Sequence, residues 1–140
     1  MFQGTPINLS KSPTRRGVTL IEMTVVIVVL MVLIGISVFA VGGYNEWKLA
    51  TEGSRKLRLV YSAQRTYLAE HPTEDVSTLT AAKIIPYLSD DSAALPKVES
   101  LDGSQLSIKV DVTPPIIDDG TGSAYDPSGD SKDNLWDVGG

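Results

Sequence analysis

From Val18 to Val41 the chain carries one charged side chain, Glu22, among residues that are otherwise apolar, small or hydroxyl-bearing. A helix over that stretch would be about 36 Å long, enough to cross a hydrocarbon core of about 30 Å. From Tyr44 the pattern becomes amphipathic, with no Pro before Pro72. Trp47, Ala50, Leu57, Tyr61 and Leu68 recur at helical spacings with Val60 and Tyr67 beside them, and Arg55, Arg58, Ser62 and Arg65 mark the opposite, wet face. Glu52 and Lys56 stand in the favourable i, i+4 order. The pattern predicts one long helix from about Thr19 to Glu70, half in lipid and half packed on a domain. Pro72 ends it by pushing His71 out of helical conformation. Gly42-Gly43 is its weak point, where a bend is expected as the helix leaves the membrane.

Beyond the helix, residues 73–77 are polar, and Thr78 to Ile85 reads as a short helix stopped by Pro86. Val76, Leu79, Ile84 and Ile85 form its apolar side, and Leu88 and Leu95 flank an acidic turn at Asp90-Asp91. Leu106, Ile108, Val110 and Val112 then alternate with Ser107, Lys109 and Asp111, the period of a strand with one buried face. Val98 to Leu101 and the Asp102-Gly103 turn complete a hairpin over about 98–112, closed by Pro114-Pro115. Leu135 to Val138 is a candidate third strand. Residues 118–140, dense in Gly, Ser and Asp, read as loop. The expected fold class is α+β: a long N-terminal helix packed on a small antiparallel sheet in a head domain over 44–140.

Charge adds an orientation. Lys11, Arg15 and Arg16 precede the apolar run, and no acidic residue occurs in the first 21 positions. Such a flank keeps the N-terminus cytoplasmic and delivers the C-terminal part to the far side. Without those three residues, nine basic side chains face 17 acidic ones, so residues 18–140 carry −8. An exported part this acidic argues against nucleic acid as main partner, since phosphate binding needs clustered Lys and Arg. The basic face of Arg55, Lys56, Arg58 and Arg65 fits acidic heads of neighbouring subunits or lipid phosphates better than DNA. The chain has no cysteine, so a small exported domain needs another staple, such as assembly or a metal ion. Residues 1–14, without periodicity, read as a disordered cytoplasmic leader. Val38-Phe39-Ala40 would be a poor secretory cleavage site, and the run before it is too long for an ordinary signal peptide.

Glu22 is the first candidate for chemistry. An ionised carboxylate in hydrocarbon costs about 2.5 kcal/mol or more. It either snorkels at the cytoplasmic interface or finds a positive partner, and the run holds no Lys, Arg or His. Cutting after Gly17 would create an amine on Val18, four residues from Glu22, able to pair in the same chain or with a neighbour. The second candidate is the tail. From Asp126, oxygen donors Ser128, Asp130, Asn134 and Asp137 fall at positions 3, 5, 9 and 12 of a calcium-loop spacing, with a backbone carbonyl at position 7. Ser131 stands where such loops have Gly, and Asp137 where they have a bidentate Glu. The alternative is a solvated Asp/Gly/Ser loop. Catalysis has little to work with: His71 is the single histidine, beside Pro72 at a helix end, and no Gly-rich phosphate loop follows a strand.

Arg15-Arg16-Gly17-Val18-Thr19-Leu20-Ile21-Glu22 followed by a long apolar helix resembles the N-terminal signature of type IV pilins and type II secretion pseudopilins. The resemblance covers roughly residues 11–70. It implies cleavage after Gly17 by a prepilin peptidase, N-methylation of Val18, and pairing of Glu22 with a neighbouring subunit's N-terminus in a filament. It also implies a single-pass bacterial inner-membrane protein with its C-terminal domain periplasmic or extracellular, no catalytic residue, and partners in its own copies, other pilins or pseudopilins, an inner-membrane assembly platform and the bilayer. Val18 replaces the usual Phe, and Phe39 stands where many members have Pro, so the helix is expected to stay continuous or to use Gly35 or Gly42-Gly43. Having no cysteine, the chain cannot make the disulfide of pilus-forming members, which tilts the resemblance toward pseudopilins or a minor pilin. Some major pseudopilins use a C-terminal calcium site instead, a likeness in type of feature only; the loop spacing is what offers Asp126, Asp130, Asn134 and Asp137 as calcium ligands. The remaining reading is a single-pass membrane protein whose exported domain binds a ligand or ion and never polymerises.

Overall fold

The computed structural model describes residues 1–4 and 17–140. The basic flank Lys11, Arg15 and Arg16, and with it most of the expected leader, lies outside the described residues. One helix, α1 (Leu20–Glu70), runs for 51 residues, passing through Gly35 and Gly42-Gly43 without a break in its hydrogen bonding, and ends just before His71-Pro72. The fold is α+β, a long N-terminal helix with small antiparallel sheets, in two units, Met1–Phe39 and Ala40–Gly140. In the first unit the apolar side chains of α1 are exposed throughout, in a helix long and apolar enough to cross a membrane.

In the second unit α1 supplies one wall of the core. Its buried residues are Ala50, Gly53, Ser54, Leu57, Val60, Ala63, Gln64 and Tyr67. The expected face is therefore displaced: Trp47 is 55% exposed, and Tyr61 and Leu68 are only half-buried. The small residues Gly53, Ser54 and Ala63 form the centre of contact because they let other elements approach the helix closely. Arg55, Arg58, Ser62 and Arg65 are exposed as expected, and Lys56 Nζ lies 2.8 Å from Glu52.

The short helix expected over 78–85 is broken into three pieces. A 3-10 turn at Val76–Thr78 is capped by Asp75, whose side chain accepts from Ser77 N, and Leu79 and Thr80 are extended. Then come α2 (Ala81–Ile84) and a second 3-10 turn, Ile85–Tyr87, which takes Pro86 into its first turn instead of stopping at it. Proline lacks an N–H that the first turn would leave unpaired anyway, so it suits that position. Leu79, Ile84 and Leu88 enter the core.

The expected hairpin is real but shorter, and a second ladder follows it. Strands β1 (Val98–Glu99) and β2 (Gln105–Leu106) pair antiparallel, Val98 opposite Leu106, around a tip containing Asp102-Gly103. Strands β3 (Ile108–Lys109) and β4 (Ile116–Ile117) pair antiparallel, Ile108 opposite Ile117. The strand predicted through Val112 stops at Lys109 because Gln64 of α1 takes over its backbone: Nε2 donates to Val110 O and Val112 O, both at 2.8 Å. Pro114-Pro115 lies between the paired strands, after a cis Thr113–Pro114 bond. Leu135–Val138 forms no strand; Asn134 and Trp136 both adopt left-handed backbone with φ 65°. That turn buries the Trp136 indole against Gly53 and edge-on to the Tyr125 ring.

Candidate functional site

Two regions hold the residues singled out by sequence. The first is the start of α1. Thr19 and Glu22 form a reciprocal cap: Thr19 N donates to Glu22 Oε2 at 2.7 Å, Thr19 Oγ1 donates to the same oxygen at 3.0 Å, and Glu22 N donates to Thr19 Oγ1 at 3.3 Å. This is the Thr-x-x-Glu capping box, in which an N-cap hydroxyl and a third-position carboxylate satisfy each other's backbone N–H. The spacing Thr19 to Glu22 was the signal, and reading Glu22 only as a membrane charge missed it. Glu22 is exposed and is held by Thr19, the neighbour of Val18, which is 63% exposed. Thr24 and Ser37 return their hydroxyls to Leu20 O and Leu33 O, so no side-chain hydroxyl there needs an outside partner.

The second region is the tail. Of the four expected calcium ligands, Asp126 lies near enough to Asp137 to act on its charge, but its Oδ1 accepts from Ser128. Asp137 Oδ1 accepts from Gly139 N at 2.5 Å, while its Oδ2 is buried without a hydrogen-bond partner. Burial pushes the Asp137 carboxyl up from the ordinary carboxylate range, and the nearby charges of Asp133 and Asp126 push it further. Asp133, outside the calcium-loop spacing, therefore lies near Asp137. Asn134 is turned away: its Oδ1 accepts from the Arg58 guanidinium, which also donates from Nε to Val138 O at 3.1 Å. Asp130 Oδ1 accepts from Lys132 N, closing its own turn. Among the described residues no group of three or more acidic or histidine side chains converges tightly enough to hold a metal as it stands. The expected ligand set is therefore not assembled: Asn134 and Asp130 are taken by other partners, and Asp137 keeps one buried oxygen without a partner.

The remaining candidates have local partners. The His71 ring stacks on Tyr67 with centroids 4.3 Å apart, its Nδ1 3.0 Å from Tyr67 O. Tyr67 Oη donates to Glu74 at 3.0 Å, and Lys83 pairs with Glu74. Hydrogen bonds from Lys83 and Tyr67 hold the Glu74 carboxyl below its ordinary range. On the basic face, Lys56 donates to Lys97 O and Arg65 lies 5.8 Å from the Tyr61 ring centroid.

Residues 13–38, spanning Gly17, Val18 and Glu22, match the prokaryotic N-terminal methylation motif. Neither a curated protein nor a solved structure matches the chain. The match makes the N-terminal segment prepilin-like.

Proposed function

We propose that the chain is a structural subunit of a type IV filament system, either a type II secretion pseudopilin or a pilin or minor pilin. A prepilin peptidase cuts after Gly17 and methylates the Val18 amine. The apolar part of α1 stores the subunit in the inner membrane and then packs against its equivalents in the filament. The observation that carries this reading is the methylation motif placed directly on an apolar run, Val18 to Val41, whose sole charge is Glu22. The Thr19 bonds support it: they hold the Glu22 carboxylate next to the residue on which cleavage creates an amine. In the assembled filament that carboxylate meets the amine of an adjacent subunit, matching two charges in an apolar setting and fixing the axial step between helices.

The test is incorporation. Glu22→Ala and Glu22→Lys are expected to be processed and inserted normally, yet to be lost from sheared or purified filaments. Normal incorporation of both would overturn assembly through Glu22, whereas absence of the unmodified chain itself from the filaments would favour the non-polymerising, ligand- or ion-binding membrane protein. N-terminal sequencing of the mature protein checks the earlier step, since a retained residue 1–17 segment would end the prepilin reading.

Calcium is a second reading, favoured by the buried, unpartnered Asp137 oxygen beside Asp126 and Asp133. Bound there, calcium would neutralise the cluster and fasten the tail in place of a disulfide.

A further inference from the structure

Beyond the apolar run, the large hydrophobic side chains that stay exposed gather in one place. Tyr44 is 61% exposed and Trp47 55%, their rings 6.1 Å apart on α1. Leu101, 54 positions later than Trp47, is 44% exposed at the tip of the β1–β2 hairpin. Trp47 and Leu101 line the same open cavity of about 270 Å³, with Gly43, Ala50 and Pro127. The tip that carries Leu101 is stiff. Ser100 Oγ, Ser104 N and Ser104 Oγ all donate to Asp102 Oδ1, which lowers the Asp102 carboxyl to about 2, and Tyr125 Oη accepts from Leu101 N at 3.0 Å.

We infer that Tyr44, Trp47 and Leu101 form a lipid-facing surface that seats the exported unit on the membrane in which its helix is stored. The inference rests on the membrane-anchored reading above. Continuity with the apolar run selects lipid as the occupant: along a helix, Tyr44 and Trp47 follow Val41 by only about 4.5 and 9 Å, the depth range of the headgroup zone. Tyr and Trp, each an apolar ring with one polar handle, favour that zone. Exposed Glu46 and Lys48 put one charge of each sign on this part of the helix, which suits a zwitterionic headgroup. Leu101 adds a contact that tethering alone does not require. The seat restrains the exported unit before assembly and is given up when the subunit leaves the membrane.

The absence of native cysteine allows a clean test with single-cysteine variants of the full chain in phosphatidylcholine vesicles, each labelled with an environment-sensitive fluorophore. Leu101→Cys reports the seat, Leu30→Cys the span, and Ala69→Cys, exposed near the far end of α1, the aqueous reference. The Leu101 label is expected to shift to the blue, to lose quenching by aqueous iodide, and to be quenched more by a headgroup nitroxide lipid than by a chain-end one. A Leu101 label as iodide-accessible as Ala69, with Leu30 buried in lipid, would overturn the seat and leave anchoring intact. A Leu30 label in water would instead remove the anchoring itself. Shielding of Leu101 that nitroxide lipids do not detect and that weakens on dilution of the protein would assign the surface to a second copy, and the proposal would fail.

Discussion

At Gly53 the ladders and the tail pack closely against α1. A Cβ built there would lie 3.1 Å from Val98 Cγ1, 3.2 Å from Trp136 Cε3 and 3.5 Å from Ile117 Cδ1, all side chains of the core. Two effects oppose at this position. Replacing Gly in a helix interior with Ala gains up to about 1 kcal/mol of propensity. Crowding a packed core costs about 1–3 kcal/mol. With one added carbon the two nearly cancel, so Gly53→Ala is expected to shift the unfolding midpoint little. Gly53→Val adds two further methyl carbons against Val98 and Trp136 and gives up most of the propensity gain, so crowding dominates. Denaturant titration of the full chain in detergent checks this: Gly53→Val should lose about 1–3 kcal/mol while Gly53→Ala stays near the parent. Equal stability for all three would mean that the tail does not pack on this face.

At the scale of elements, Gln64 joins α1 to the segment between the two ladders. It is fully buried, and its amide donates to both Val110 O and Val112 O. Gln64→Leu preserves most of the volume but orphans two carbonyls, at about 1–3 kcal/mol for each one left buried and unpaired. Gln64→Glu should lose as much at neutral pH, where a carboxylate donates nothing, and recover part of it in acid, where one O–H is restored. Thermal melts at the two pH values read the difference; a Glu variant without acid rescue would remove the donor role. The same residue shows what the sequence could and could not tell. Helix α1 was legible end to end, because a long apolar run, a 3.6-residue pattern and His71-Pro72 are local signals. Alternation over Leu106 to Val112 correctly placed Ile108 and Val110 in the core. It could not show that a helix glutamine, which reads as a polar surface residue, would claim the backbone of 110–112, nor that Ile116–Ile117 would find Ile108 across two prolines. Trp47 and Tyr61 misled because residue type cannot separate a core aromatic from an interfacial one. At the N-terminus, the methylation motif over residues 13–38 was legible as a contiguous local pattern. In the tail, Asp133 was invisible because its proximity to Asp137 depends on a left-handed turn at Asn134 that spacing does not encode.

For the molecule as a whole, the unit Ala40–Gly140 combines a net acidic charge with no disulfide, and its C-terminal tail is part of its core. Trp136 is 4% exposed, its backbone N–H donates to Ala50 O at 3.3 Å, and Ser54 Oγ donates to Asn134 O at 2.8 Å. Holding the tail there brings Asp137 close to Asp126 and Asp133, so the tail's docking and the acidic cluster's electrostatics are coupled. Burial, reinforced by those like charges, raises the folded-state pKa of Asp137, so the folded chain binds this proton more tightly than the unfolded chain does. The sign follows from linkage: Asp137 contributes stability that is fully present below its ordinary carboxylate value and lost as pH rises through the raised folded value. In chelator, then, Asp137→Asn should raise the melting temperature at neutral pH, and the gain should shrink to nothing in acid. A cation bound to the cluster reverses this. Calcium prefers the ionised carboxylates, stabilises the folded chain in proportion to its occupancy, and is lost with the charge. With millimolar calcium in place of chelator, the wild-type midpoint should rise at neutral pH and Asp137→Asn should become the less stable of the two. If Asp137→Asn remains the more stable protein in both conditions and calcium moves neither midpoint, the tail is fastened by Trp136 and Ser54 alone, and the acidic cluster is a strain that the core tolerates.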